Sequence, residues 1–268
     1  QRGFKFLKKY KDLKLTINNS STVFKKKFFS MIWSIFIILF SYFKSLWILY
    51  RVKPSLVFGM GGYASFPVCL AAKTLRTPFV IYENNLVLGK SNKYLMPFAK
   101  KIFLAYKDVE GIDLKSKSKL ITTGNIIREE TLNFINEKKF ASDELNILIL
   151  GGSQAAQSFG DILPEIFKQC IGENIKIKII QQCTESQNKM LEEYYKNLKI
   201  DYELFNFTDN IFKYFSRVEL VITRSGSSVT AELINCKIPF ISIPYPYSAD
   251  KHQDKNAIYF KKKGYSFL

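Results

Sequence analysis

Within residues 218–232 an apolar run (218–223), a turn of small polar residues (224–228) and a helix-compatible pattern from Val229 follow without a break. A strand that feeds a helix through so short a turn builds one βα step of a parallel sheet, which narrows the fold class at once. Such a turn also aims free backbone N–H groups past the strand end, an arrangement that suits an anion. Gly226 lets a ligand approach the backbone, and the serines beside it add hydroxyl groups. Glu232 comes four residues after Ser228 and shares its helix face. An ionised carboxylate only accepts hydrogen bonds, so it suits a diol such as a ribose edge. The same residues also read as an ordinary capped helix with Glu232 in solvent, and the stretch alone fits both.

The rhythm recurs along the chain. From Pro54, strands are expected at 55–58, 79–82, 101–105 and 120–123, with a glycine turn at 59–63 and a helix at 68–75. Polar clusters close two of these strands: Glu83-Asn84-Asn85, and Gly124-Asn125 through Arg128. Residues 138–146 are polar and charged and read as a linker, which divides the chain into domains at 1–140 and 141–268. A second series follows, with strands at 147–150, 175–180, 202–207 and 239–244 and helices at 190–198, 210–215 and 256–263. Phe159, Ile162, Leu163, Ile166 and Phe167 keep helical spacing after the Gly151-Gly152 turn. Strands alternating with helices imply a parallel sheet in each half, with ligands expected just past the strand C-termini.

Charge constrains the partner. Forty Lys and Arg against 23 Asp and Glu give a net charge of +17, which points to a phosphorylated ligand, an acidic membrane or nucleic acid. Nucleic acid is the weakest of these, because the lysines are dispersed and no recognised module appears. Four scattered cysteines without a CxxC pair, and a single histidine, argue for reduced thiols and against a zinc site. The chain starts with Gln1-Arg2-Gly3-Phe4 and stops within an apolar run, so a fragment of a longer protein is expected.

Residues 22–53 stand apart. Lys25, Lys26 and Lys27 precede an uncharged run at 28–43, and Lys44, Arg51 and Lys53 follow it. A spanning helix needs about 20 apolar residues; this run is shorter and carries Ser30, Ser34 and Ser41. It reads as a core helix behind a sheet, as a helix that also presents lipid-facing residues with a basic rim, or as a true span.

No glycine turn is a Walker A motif, and none has the full dinucleotide spacing. Any one of them alone reads as a plain βα turn, whereas two domains with such turns suggest a phosphorylated ligand between them. His252 is more readily a structural hydrogen-bond group than a base. Gln253, on a loop between strand and helix, suits a sugar hydroxyl. Ser225-Gly226-Ser227 lacks the hydrolase elbow pattern, and no metal site is indicated.

Taken together, 59–63, 83–92, 124–128, 151–154, 224–232 and His252-Gln253 with Asn256 resemble the MurG family, glycosyltransferases that move N-acetylglucosamine from UDP-GlcNAc to lipid I, the undecaprenyl-diphospho-muramyl pentapeptide of peptidoglycan synthesis. The resemblance runs through most of the chain from Pro54 onward. It implies a GT-B α/β fold, two Rossmann-like domains with parallel sheets facing across a cleft, and a donor bound mainly by the C-terminal half. It places Ser153 at donor phosphate and Ser227, Ser228, Val229, Thr230, Ala231 and Glu232 in the nucleotide loop, with Glu232 on the ribose. Thr208 falls at the uracil and Gln253 at the GlcNAc hydroxyls. Asn85 and Arg128 would reach the donor from the N-terminal half, and Gly61, Gly62 and Tyr63 would shape the acceptor side. No cofactor is implied. Three departures stand out: Tyr82 where the family often has His, Ala155 for a usual Gly, and Ser227-Ser228 for Ala-Leu. The family's glycine-rich loop ending in a candidate histidine base lies upstream of Gln1, so the resemblance names no base in this chain.

The implied chemistry is inversion by direct displacement, with the acceptor hydroxyl attacking the anomeric carbon as UDP leaves. The implied location is the cytoplasmic face of the bacterial inner membrane, held peripherally, with an anionic membrane surface as a partner. A UDP-sugar enzyme of the same fold, such as a 2-epimerase, and a non-catalytic basic membrane-binding module are the competing readings.

Overall fold

The computed structural model of the chain describes residues 7, 10–18, 28–135 and 143–268. The chain forms two compact units, Gln1–Gly124 and Asn125–Leu268. The expected linker lies partly at 136–142, outside the described residues. Asn125 and Arg128 go with the second unit, not with the N-terminal half as expected, because both bond to side chains more than 100 positions further on, Ser227 and Glu232.

The first unit holds α1 (Phe28–Val52), β1 (Val57–Gly59), α2 (Gly62–Thr74), β2 (Phe79–Glu83), α3 (Lys90–Leu95), β3 (Lys101–Leu104) and β4 (Leu120–Thr122). Its sheet runs β1-β2-β3-β4, parallel throughout, with Gly59 opposite Ile81 and Ile81 opposite Ile102. All five residues of β2 are buried, as a strand covered on both faces requires. α2 starts at Gly62, six residues before the expected position, and carries Pro67 within it. Proline normally marks a helix start, so the first turns are hidden from a reading by residue type.

α1 continues well beyond the uncharged run. Met31–Val52 is long and apolar enough to cross a membrane by length and composition, with 22 % of its most apolar window buried. Two of the serines that interrupt the run lie on its packed face: Ser34 and Ser41 are buried, as are Ser45 and Leu49 further along the helix. Asn18 donates to the Ser41 carbonyl and to Ser45 Oγ, and Tyr42 and Leu46 pack on the core of the unit. Phe29, Trp33, Phe36, Phe40, Phe43, Trp47 and Tyr50 are all exposed. Their alternating spacing of four and three makes one continuous aromatic stripe. The core-helix reading therefore accounts for the serine face only.

The second unit holds α4 (Glu129–Leu132), β5 (Leu145–Leu150), α5 (Gly152–Gly172), β6 (Ile177–Gln182), α6 (Asn188–Asn197), β7 (Asp201–Phe205), α7 (Phe212–Phe215), β8 (Leu220–Thr223), α8 (Ser227–Asn235), β9 (Phe240–Ser242), α9 (His252–Lys262) and β10 (Ser266–Phe267). Its parallel sheet runs β10-β9-β8-β5-β6-β7. Ile149, Phe159, Leu163, Phe167, Ile179, Leu191 and Tyr195 build its core, while Ile162 and Ile166, also at helical spacing on α5, stay exposed. The chain leaves β5 toward β6 and β7, then returns to pair β8 on the other side of β5. That reversal between β5 and β8 is a topological switch point, where open α/β sheets bind ligands beyond the strand ends.

Candidate functional site

A cavity of about 570 Å³ lies at that switch point, lined by the ends of both strands (Leu150-Gly151 and Thr223-Arg224) and by Gly226, Ser228, Val229 and Glu232 of the following turn and helix. Leu150 and Thr223 are register partners, and Thr223 Oγ1 donates to the Leu150 carbonyl, which ties the two strand ends together.

The turn after β8 is fastened from below. Ser225 Oγ shares a hydrogen bond with Ser242 Oγ at 2.8 Å, and Asn256 Nδ2 donates to the Ser225 carbonyl at 3.1 Å. Gly226 has an ordinary φ of −74°, and among the described residues a side chain there would meet no atom within 4 Å. Neither the backbone nor a described neighbour demands glycine, and the position leaves open space at the cavity wall. α8 begins at Ser227, so its first backbone N–H groups and its dipole face the cavity rim.

Glu232 is not in solvent: it is 8 % exposed. Arg128 Nε donates to its Oε1 at 2.7 Å and Nη2 to its Oε2 at 2.6 Å. The carboxylate bonds raise the pKa of Arg128. The guanidinium also lies 4.9 Å over the Phe212 ring. A carboxylate offers about four lone-pair sites, so a bidentate arginine leaves two that can accept from a diol.

Phe205, Phe207 and Ile211 give the cavity an apolar wall, with Phe205 stacked on Tyr214 at 4.5 Å. Thr208 lies beside them, and its hydroxyl is engaged by Asn210 of its own turn. Opposite, Gln253 lies in the first turn of α9 rather than on a loop before it, because the helix starts at His252. Its Oε1 accepts from the Tyr245 backbone N–H at 2.9 Å. His252 Nδ1 sits 2.6 Å from the Ala249 carbonyl, a turn-closing role.

Of the residues expected to bind, Arg128, Thr208, Ser228, Val229, Glu232 and Gln253 line this one cavity. Ser227, Thr230 and Ala231 are buried behind it: Ser227 Oγ donates to Asn125 Oδ1, and Thr230 Oγ1 returns to the Gly226 carbonyl. Ser153 is in the first turn of α5, and its side chain lies outside the described residues. Gln182, Phe205, Phe207, Arg224 and Tyr245 also line the cavity, although sequence reasoning did not single them out. Only Arg224 left a signal, a charged side chain directly after a buried strand.

Asn85, Gly61, Gly62 and Tyr63 belong to the first unit. There Glu83, 4 % exposed, accepts from Asn85 N, Asn85 Nδ2, Gly89 N and Asn92 Nδ2. Gly61 has φ +75°, and a Cβ on it would lie 3.2 Å from Asn92 Nδ2, so that position favours glycine on both counts. Tyr82 is buried and donates to the Gly124 carbonyl at 3.2 Å. Among the described residues no cluster of His, Cys, Asp and Glu could hold a metal ion.

A model of the glycosyltransferase family 28 C-terminal domain matches residues 146–268, and one of the N-terminal domain of that family matches residues 4–104. The chain is similar to the UDP-N-acetylglucosamine--N-acetylmuramyl-(pentapeptide) pyrophosphoryl-undecaprenol N-acetylglucosamine transferase of Pelagibacter ubique. They are 34 % identical over 269 residues, covering 100 % of this chain and 74 % of that protein. The Rickettsia canadensis protein of the same name is 38 % identical over 217 residues, covering 80 % of this chain and 61 % of the relative. Among solved structures the chain is similar to Acinetobacter baumannii MurG, with a TM-score of 0.74 at 25 % identity, over 99 % of this chain and 72 % of that one.

Proposed function

Since the chain belongs to the MurG family of GT-B glycosyltransferases, we propose that it transfers N-acetylglucosamine from UDP-GlcNAc to undecaprenyl-diphospho-N-acetylmuramyl pentapeptide in peptidoglycan synthesis. One observation carries the site assignment: a nearly buried carboxylate, a helix N-terminus, an apolar wall and a fixed amide converge on one switch-point cavity. Each matches a different part of a UDP-sugar.

In this reading the uracil lies against Phe205 and Phe207, with the main chain of Thr208 at its edge. Glu232 accepts from the ribose hydroxyls through the oxygen sites that Arg128 leaves open. The diphosphate meets the first N–H groups of α8, at Ser227 and Ser228, and those of α5, at Ser153. Gln253 reads the sugar. By family likeness Asn85 takes part in donor binding, and the Gly61-Gly62-Tyr63 turn serves the acceptor.

Reaction is an inverting displacement. The oxygen of the acceptor C4 hydroxyl forms the new bond to the anomeric carbon as its proton passes to a general base, the bond from that carbon to the diphosphate oxygen breaks, and UDP leaves with the electron pair. Charge on the departing diphosphate grows where the helix N-termini and Arg128 already supply donors and positive potential, the condition under which fixed dipoles lower a barrier.

The aromatic stripe of α1 and the +17 net charge support a peripheral enzyme seated on an anionic inner-membrane surface at its cytoplasmic face, where its lipid-linked acceptor resides. Calorimetric titration with UDP-GlcNAc tests the donor site, and transfer of labelled GlcNAc to a lipid-linked muramyl pentapeptide tests the reaction. Tight UDP-GlcNAc binding with conversion to the 2-epimer and no transfer would assign the site to an epimerase instead.

A further inference from the structure

Gln253 has a fixed orientation. The Tyr245 N–H needs an acceptor, so the amide oxygen must face it, at 2.9 Å. That leaves Nε2, a donor, as the remaining polar end of a side chain on the cavity wall. The residue therefore recognises an oxygen lone pair on its ligand, and its aim depends on the segment that carries Tyr245.

Arg224 grips that segment. Nη1 donates to the Pro244 carbonyl at 3.1 Å, next to Tyr245, and the guanidinium lies 5.6 Å from the Tyr245 ring. At its other end Nη2 donates to Ser158 Oγ at 2.7 Å, and the guanidinium lies 4.5 Å over the Phe159 ring. The cation thus bridges α5 to the chain between β9 and α9, and both of its terminal nitrogens are engaged by protein acceptors. Lysine cannot reproduce this, since it has no planar fork to stack and branch with.

We propose that Arg224 is a positioning residue for the sugar half of the donor, holding Tyr245 so that Gln253 presents its Nε2 to a sugar oxygen. The inference rests on the UDP-sugar reading of the cavity. It adds that recognition of the sugar is separable from recognition of the nucleotide and runs through a cavity-wall residue whose terminal nitrogens are both spent on protein acceptors.

The test is calorimetric titration of the full chain with UDP and, separately, with UDP-GlcNAc, for wild type, Arg224→Lys, Gln253→Ala and the double variant. Arg224→Lys is expected to hold UDP affinity within about twofold and to weaken UDP-GlcNAc roughly tenfold, the worth of one hydrogen bond. Gln253→Ala should do the same, and the double variant should lose no more than either single. Equal loss of UDP and UDP-GlcNAc in Arg224→Lys would overturn the proposal, since it would make Arg224 a phosphate anchor or a general structural residue. Additive losses in the double variant would overturn it as well. A wild-type chain that binds neither ligand would instead sink the UDP-sugar reading itself. Thermal melts identify any variant that fails to fold, and Arg224→Gln then replaces it.

Discussion

Arg128 and Glu232, 104 positions apart, meet through two parallel N–H···O bonds of 2.7 and 2.6 Å. The pair is asymmetric: the arginine side chain is 43 % exposed and the carboxylate 10 %. Removing the arginine strands a nearly buried charge, whereas removing the carboxylate leaves a cation that can reach water. Arg128→Met is therefore expected to destabilise the chain by about 1–2 kcal/mol, below the cost of breaking a fully buried pair because water screens one partner. Glu232→Gln placed on top of it should restore part of the loss. Urea unfolding of the two singles and the double measures the coupling, and a coupling near zero would show that the pair does nothing for stability.

Glu232 carries a second expectation, on binding. Glu232→Ala should weaken UDP-GlcNAc by about 1.5–3 kcal/mol, as hydrogen bonds to a charged group are worth. UDP should lose the same amount and the 2′,3′-dideoxy analogue almost nothing, because the proposed contact is to the ribose diol. Unchanged affinity for UDP would remove Glu232 from the ribose.

The βα rhythm of both units was legible because each buried strand is a short apolar run ended by glycine or small polar residues, as at Leu145–Leu150 and Leu220–Thr223. What escaped depends on tertiary partners. β10 is two residues long and exists only by pairing with Phe240 and Ile241. α3 is a polar six-residue helix with no apolar stripe to announce it. Arg128 joins the second unit through a carboxylate that no local pattern links to it. The serines of α1 looked like breaks in an apolar run because composition cannot tell which face of a helix they occupy. The segment 224–232 was legible as a motif, but its division into cavity-facing Ser228, Val229 and Glu232 and buried Ser227, Thr230 and Ala231 needed the helix phase.

The aromatic stripe of α1 makes the proposed membrane binding measurable. Burying an aromatic side chain is worth about 1.5–3 kcal/mol, so Phe36→Glu with Phe40→Glu should reduce co-sedimentation with anionic vesicles by at least about tenfold. The residues that line the proposed donor cavity belong to the other unit, so UDP affinity should be unchanged. Loss of pelleting in high salt alone, with no effect of the two substitutions, would leave the basic residues as the whole of the attraction.

Gly59 closes β1 directly against α2. A Cβ added there would lie 2.6 Å from Cys69 Sγ, closer than real Cβ atoms approach. Cys69 is fully buried, so a shift of its sulfur would have to displace packed neighbours. Gly59→Ala is expected to cost about 1–3 kcal/mol by overpacking, and Cys69→Ala in the same chain should return most of it by removing the sulfur. If the double variant unfolds at the same urea concentration as Gly59→Ala alone, the clash is not the cause.

The same thiol sets an alkaline limit on stability. Burial pushes Cys69 up to about 11 from an ordinary 9.0. Below pH 9 the thiol is neutral in both states and contributes nothing to the pH dependence. Between pH 9 and 11 the unfolded chain releases a proton that the folded chain retains, so the unfolded state is favoured and stability falls as pH rises. That displacement corresponds to about 2–3 kcal/mol of stability, present below pH 9 and lost by pH 11. Cys69→Ala abolishes this titration whatever fixed penalty the lost sulfur imposes. Urea unfolding from pH 8 to 10.5 should therefore give a steeper decline for wild type than for the variant, the stability difference between them shifting by about 2 kcal/mol in the variant's favour across that range. Parallel curves across that range would mean that the buried thiol ionises as readily folded as unfolded.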